Sequence, residues 1–120
     1  MSFDRLPSYL QQMLEAATEA CMFTADIREE DFLADRRTQM AVTMTFVLLG
    51  ETAARIASHC PEFIEDHPEI PWAKIRGLRN LIAYEYQEID FPVIWQTTKT
   101  ELPKLIAAIN SALHWRAQGE

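Results

Sequence analysis

The segment LRNLIAYEYQEID, residues 78–90, places an arginine–asparagine pair and two tyrosines inside an otherwise apolar helical pattern. Arg79 is permanently charged, and its planar guanidinium matches the oxygen atoms of a phosphate group. Asn80 follows it directly, and Tyr84 and Tyr86 lie two residues apart. A tyrosine hydroxyl, with an ordinary pKa of ~10, donates hydrogen bonds at neutral pH but is a poor base. These residue types therefore suit phosphate binding better than proton abstraction.

The helix that carries this segment has two different faces at 100° per residue. One face is an apolar stripe of Ile75, Leu78, Leu81 and Ile82, with Tyr86 at its edge. The opposite face holds Tyr84 together with Ala73, Gly77 and Asn80. Core packing explains the first face, whereas a solvated second face would carry Lys and Glu. Small residues four positions apart favour a second helix at close range, either from another copy of the chain or from its own C-terminal segment. In a twofold dimer, Arg79, Asn80 and Tyr84 of both copies would share one cleft.

Lys74, Arg76 and Arg79 give this helix a positive strip in a protein whose net charge is −7. That net charge opposes indiscriminate nucleic-acid binding, so any such function must lie in a small site or depend on a partner. A dimer would have two such strips, which together would fit a short single strand of nucleic acid. The alternative is ordinary pairing with neighbours such as Glu85, which contributes little.

Glu51 lies in the middle of the most apolar helical pattern of the chain. A charge in such a position is costly unless it is paired. We expect Glu51 to orient Arg79 or Arg55 through an ion pair, and a direct role in the site is the alternative.

The chain has the composition of a soluble globular protein and the length of one domain, residues 1–120. Its hydrophobic content is 48% and its charged content 24%. No unbroken apolar run is longer than five residues, which is too short to cross a bilayer, and no basic-then-apolar signal segment opens the sequence. We expect a cytoplasmic protein with no membrane segment. Cys21 and Cys60 are expected as small buried hydrophobes, and no spacing indicates a metal or a cofactor.

Hydrophobic spacing predicts four long helices plus short pieces. They run from Leu6 to about Thr24, from an N-cap at Asp35 to about Ser58, from Pro71 to about Tyr86, and from Asp90 to about Leu113 with a kink at Pro103. Phe32 and Leu33 are expected to anchor a short turn in the first connector, and residues 61–71 leave room for one helical turn. The second long helix is apolar nearly all round, which places it at the centre. The prediction is an all-α, antiparallel up-and-down bundle.

The stretch PWAKIRGLRNLIAYEYQEIDFPVIW and the later LP, with LLGETAARIA on the second helix, resemble the HEPN superfamily, specifically its HepT-like branch of small prokaryotic toxin components. The resemblance covers nearly the whole chain. It implies a homodimeric helical bundle whose paired motifs form a metal-independent endoribonuclease site acting on RNA. It also implies an MNT-type nucleotidyltransferase antitoxin, which can modify a tyrosine of the toxin with AMP groups.

The family motif is an Arg, four intervening residues and a His, with the modifiable tyrosine two residues further on. Carried onto this sequence, the motif arginine is Arg79, the polar residue after it is Asn80, and Tyr84 stands at the His position. Tyr86 is then the candidate for AMP modification. The resemblance thus predicts a site without its general base, and such a loss typically costs about 10²–10⁴ in rate. We expect either a weakened ribonuclease toxin or an inactive dimer that binds a nucleotidyltransferase partner or RNA without cleaving it. A helical scaffold outside the superfamily is the third alternative.

Three histidines could in principle replace the missing base. His59 ends the second long helix, His67 lies in the proline-rich connector, and His114 lies near the end of the fourth helix. We expect all three at the surface or at helix ends.

Overall fold

All regular structure in the described part of the chain is helical. A computed structural model describes the backbone of residues 5–119 and the side chains of residues 5–114. The helices are α1 (Leu6–Phe23), α2 (Glu29–Leu33), α3 (Arg36–His59), α4 (Pro61–Asp66), α5 (Trp72–Tyr84), α6 (Phe91–Thr100) and α7 (Leu102–Gly119), with a 3₁₀ turn at Tyr86–Glu88. The predicted all-α class is confirmed, and the short turns expected in the two connectors are α2 and α4.

Aspartate caps fix where two of the helices begin. Asp35 accepts hydrogen bonds from the backbone amide and the hydroxyl of Thr38, at 3.3 and 2.6 Å, at the start of α3. Asp90 accepts one from the Val93 amide, at 3.3 Å, at the start of α6. The Thr38 hydroxyl holds the pKa of Asp35 below its ordinary value. The cap therefore contributes stability above the ordinary carboxyl pKa and loses it as the pH falls through the depressed value.

The core lies where α3 packs against α1 on one side and α5 on the other. Its largest fully buried apolar side chains are Leu10, Met13, Phe32, Val42, Leu49, Ile56, Ile70, Ile94 and Ile109. Phe32 anchors α2 by packing its ring 5.4 Å from that of Trp95. The expectation that Leu33 also anchors this turn was wrong, because Leu33 is exposed. Adjacent residues of a helix point about 100° apart, so a single short turn buries one of the two.

Helix α5 ends at Tyr84, two residues earlier than predicted. Glu85 leaves the helical conformation, with φ −129° and ψ 49°, while its amide still donates to the Leu81 carbonyl at 2.8 Å. Residues 83–88 are all exposed, so no burial supports a further helical turn. Tyr86 consequently lies in the 3₁₀ turn, and its predicted place at the edge of the apolar stripe of α5 was wrong.

The predicted fourth helix is two helices, α6 and α7, which meet at Glu101. Pro103 has no amide hydrogen, and its ring conflicts with the carbonyl group of Lys99, four residues earlier. The interruption is thus a separation into two helices rather than the kink expected from the sequence.

Helix α3 is central but not enclosed. Met44 and Leu48 are 56% and 46% exposed, although the sequence predicted burial nearly all round. An 18-residue window of α3 has a mean hydropathy of 1.3, so by length and composition alone this helix could cross a membrane. Half of that window is buried inside the structure, against the other helices.

A single glycine sets the distance between α3 and α5. A methyl group on Gly50 would lie 2.5 Å from Cγ of Arg79 and 3.4 Å from the carbonyl oxygen of Ile75. Gly77, on the other side of α5, has nothing within 4 Å of the same position. The two glycines therefore serve different purposes, and the one at position 50 is required by packing.

We expect Gly50→Ala to lower the free energy of unfolding by about 1–3 kcal/mol, because the added methyl group overpacks the α3–α5 contact. Gly77→Ala is the matched control and should stabilise the chain by about 0.5–1 kcal/mol, the ordinary gain for removing glycine from a helix interior. The measurement is urea unfolding at concentrations where the midpoint no longer depends on protein concentration. Equal effects of the two substitutions would contradict the close approach at Gly50.

Candidate functional site

The guanidinium of Arg79 is held by two acceptors. One terminal nitrogen contacts the carboxylate of Glu51, and the other donates to Oδ1 of Asn80 at 2.9 Å. Of the two arginines considered as partners of Glu51, Arg79 is therefore the one that pairs with it. The third nitrogen, Nε, is buried and has no hydrogen-bond partner among the described residues. The side chain is consequently fixed at its tip while its stem crosses the α3–α5 contact.

Tyr84 completes this cluster at the end of α5. Its side chain is 76% exposed, and Cζ of Arg79 lies 5.6 Å from the centre of its ring. Hydrogen bonding with Tyr84, and then with Glu51, raises the pKa of Arg79 further above its already high ordinary value. Arg79 therefore stays charged, and its only described carboxylate partner is Glu51.

The two faces of α5 divide as the helical spacing predicted. Ile75 and Ile82 are buried, whereas Asn80 and Gly77 on the opposite face are exposed. Ala73, Lys74 and Arg76 are exposed as well. No described part of the chain covers this side of α5.

The uncovered side of α5 continues onto α3. Met44 and Leu48 lie on α3 between Met40, which contacts Tyr86, and Glu51, which contacts Arg79. We call this surface the open face. It consists of Met44, Leu48, Ala73, Gly77, Asn80 and Tyr84. The open face thus combines exposed apolar and small residues with the exposed ring of Tyr84 at the end of α5.

Tyr86 does not join the Arg79 cluster. Its hydroxyl contacts the guanidinium of Arg36 and lies 3.6 Å from the sulfur of Met40, both in the first turns of α3. Sequence reasoning missed Arg36. The signal was present, because the up-and-down bundle predicted from the sequence would bring the start of the second long helix beside the end of the third.

The three histidines have other surroundings. Nδ1 of His59 lies 3.0 Å from the carbonyl oxygen of Arg55, and Nδ1 of His67 lies 2.8 Å from the carboxylate of Glu69. His114 is exposed on α7. Within residues 5–114, no three His, Cys, Asp or Glu side chains are grouped so that they could hold a metal ion.

Comparisons with known proteins agree on one family. The family model described as ribonuclease HepT-like matches residues 13–112. "Probable ribonuclease HepT" of Thermococcus cleftensis is 36% identical over 97 residues, which cover 81% of this chain and 86% of the relative. "Putative RNase MJ1380" of Methanocaldococcus jannaschii is 30% identical over 105 residues, covering 88% and 94%. No solved structure gives a significant match.

The Glu51–Arg79 pair can be tested by a double-mutant cycle in urea unfolding. Glu51→Gln and Arg79→Ala should each destabilise the fold, and the double variant should lose less than the sum of the two, because both changes break one interaction. Glu51→Gln combined with Arg76→Ala is the matched control. Arg76 is an exposed arginine of the same helix without a described contact to Glu51, so those two effects should add. Additive losses for Glu51 and Arg79 would show that the pair does not couple.

Proposed function

The chain belongs to the ribonuclease HepT-like family, and from this membership we propose that it is a metal-independent endoribonuclease, the toxin of a toxin–antitoxin pair in the cytoplasm. The observation that supports this activity is a charged, anchored guanidinium, that of Arg79, beside two exposed polar side chains, Asn80 and Tyr84. The site requires no cofactor in this proposal.

In the proposed reaction, the ribose 2′-oxygen loses its proton to water and attacks the adjacent phosphorus, so that a 2′,3′-cyclic phosphate forms. The bond between phosphorus and the 5′-oxygen of the next nucleotide breaks, and the leaving oxygen takes up a proton from solvent. Arg79 binds the charge that develops on the phosphorane, and its contact with Glu51 keeps it oriented. Asn80 holds the guanidinium from the other side. Tyr84 donates a hydrogen bond to a phosphate or leaving oxygen but accepts the 2′-hydroxyl proton poorly. The expected rate is therefore lower, by about 10²–10⁴, than with an imidazole at this position.

The proposed enzyme is a homodimer joined through the open face. Met44 and Leu48 are large apolar side chains that the described residues leave in water, and the space around Gly77 is free for a second backbone. Twofold symmetry would place both Arg79 clusters in one cleft. Lys74 and Arg76 of both copies would then flank the cleft and attract the RNA backbone.

Tyr86 is the proposed point of control by an MNT-type nucleotidyltransferase antitoxin. Its hydroxyl oxygen would attack the α-phosphorus of ATP, so that a new phosphorus–oxygen bond forms and pyrophosphate leaves. The hydroxyl proton passes to a base of the transferase or to water. The position of Tyr86 in an exposed 3₁₀ turn supports this role, because a second enzyme can reach it without unwinding α5.

A second candidate function is a HEPN-fold dimer that binds RNA or the nucleotidyltransferase without cleaving RNA. The tyrosine at position 84 favours it, because no histidine contacts the Arg79 cluster among the described residues. The two candidates share the fold and differ only in whether catalysis occurs.

RNA cleavage in the presence of EDTA distinguishes the two candidates. We expect slow cleavage by the wild-type protein, abolished by Arg79→Ala. Tyr84→His should raise the rate by about 10²–10⁴, because it restores a base that titrates near neutral pH. The rate is measured with a labelled single-stranded RNA at several pH values.

Tyr84→Phe is the control for this series, since it keeps the ring and adds no base. If the wild type is inactive and Tyr84→His is active, the protein is the non-cleaving dimer. If neither cleaves RNA and expression of both is harmless to cells, the ribonuclease proposal is wrong.

The dimer has a separate test in Gly77→Leu, measured by sedimentation. Gly77 is exposed and an added Cβ there has nothing within 4 Å, so the variant should fold normally. The leucine should nevertheless clash with a partner backbone and shift the protein to monomer, with loss of cleavage. Ala107→Leu, at an exposed position of α7, is the matched control and should stay dimeric. A dimeric Gly77→Leu protein would exclude this face as the interface.

A further inference from the structure

A second arginine–tyrosine pair lies near the first, and its arginine, Arg36, has no role in the chemistry described above. Arg36, the first residue of α3, contacts the hydroxyl of Tyr86, and its Cζ lies 5.4 Å from the centre of the tyrosine ring. Tyr86 is 44% exposed, and Arg36 is exposed as well. The pair therefore combines an accessible cation with an accessible aromatic face.

Arg36 differs from Arg79 in the charge of its partner. Within the described residues, Arg36 contacts a neutral hydroxyl and no carboxylate, whereas Arg79 is paired with Glu51. The neighbouring Asp35 uses its carboxylate to cap α3 through Thr38. A guanidinium has five N–H donors in a planar fork, so one hydroxyl leaves most of them available.

The backbone adds to the positive character of this position. Arg36 and Arg37 lie in the first turn of a 24-residue helix, where the amide groups at the N-terminus carry partial positive charge. The protein as a whole is acidic, with a net charge of −7. The carboxylate of Asp35 at the N-cap offsets part of this positive charge, so two arginines against one carboxylate leave the start of α3 with a net positive side-chain charge.

We propose that Arg36 and Tyr86 form a phosphodiester-binding subsite separate from the Arg79 cluster. The guanidinium takes the non-bridging oxygens of the phosphate, and the tyrosine ring offers a stacking surface for a base. The choice of a phosphodiester as ligand rests on the proposed function. Two sources supply this chemistry: the backbone of a bound RNA strand, and a nucleotidyl group attached to Tyr86 itself.

The position of the subsite suits both sources. Met40 and Glu51, which contact Tyr86 and Arg79, are eleven residues apart on α3, about 16 Å along the helix axis. A single strand of a few nucleotides is long enough to reach both clusters. A phosphate on the Tyr86 oxygen would lie directly against Arg36, so modification and RNA would compete for one guanidinium. Silencing by modification then requires no change in the Arg79 cluster.

The test measures binding of a labelled 2′-O-methyl oligouridylate of about eight nucleotides by fluorescence anisotropy. This strand lacks the free 2′-hydroxyl and cannot be cleaved, so the result does not depend on whether the protein is a nuclease. Arg36→Ala should weaken binding about tenfold more than Arg37→Ala does, since a charge-assisted phosphate contact is lost. The slope of log affinity against log salt should fall by about 0.7, the value for one phosphate of a single strand.

Arg37→Ala is the matched control, because it removes the same charge from the same turn of α3 without a described contact to Tyr86. Competition by the phenyl ester of 5′-AMP tests the second source, since this ester carries the phosphodiester of a nucleotidylated tyrosine. Competition in the wild type but not in Arg36→Ala assigns the subsite to the nucleotidyl group. An Arg36-dependent loss with the oligouridylate, retained in the Tyr86→Phe background, assigns it to the RNA backbone. If Arg36→Ala and Arg37→Ala weaken both probes equally, the proposal is wrong.

Discussion

The close approach of α3 and α5 at Gly50 is the constraint on which the rest of the site depends. Only a residue without a side chain leaves room for the stem of Arg79 between the two helices. The next residue of α3, Glu51, meets the tip of the same side chain. Gly50 therefore leaves space for the side chain of Arg79, and the adjacent Glu51 places a carboxylate beside its guanidinium. The orientation of Arg79 is consequently a property of the helix pair rather than of a mobile surface side chain.

This arrangement has an electrostatic consequence. Glu51 offsets the charge of Arg79, so the cluster is close to neutral as it stands, and a phosphate has to compete with a carboxylate for the same nitrogen atoms. The pair is partly exposed, and water weakens its attraction accordingly. Exchange of the carboxylate for a phosphate is thus easier here than in a buried ion pair. The cations that attract an anion over a distance lie elsewhere, at Lys74, Arg76 and Arg36.

The sequence predicted the helical class, the Asp35 and Asp90 caps and the two faces of α5. The helical class and the two faces of α5 follow from the spacing of apolar residues, and the caps follow from the preference of aspartate for helix N-termini. Both can be read directly from a sequence. It also singled out Glu51, because a charge in an apolar helix needs a partner. Which arginine would be that partner depended on tertiary packing, and spacing alone left Arg79 and Arg55 equally open.

The remaining features depend on contacts between distant segments. The end of α5 at Tyr84 follows from the lack of anything to pack against residues 83–88, which helical periodicity cannot show. The exposure of Met44 and Leu48 depends on how many helices pack around α3. The apolar residues on nearly all sides of α3 suggested more neighbouring helices than the structure has. Arg36 was missed because its partner lies fifty residues away in the chain.

The end of α5 at Tyr84 also affects the electrostatic field around the Arg79 cluster. The C-terminal end of a helix carries partial negative charge, about half an elementary charge, and so repels an approaching phosphate. The contact between Arg36 and Tyr86 brings the positive N-terminal end of α3 close to this negative end of α5. The two helix ends thus place partial charges of opposite sign a few residues apart, and the carboxylate of Asp35 at the N-cap of α3 offsets part of the positive one. The backbone alone would therefore favour one end of this surface over the other for any anionic group placed on it.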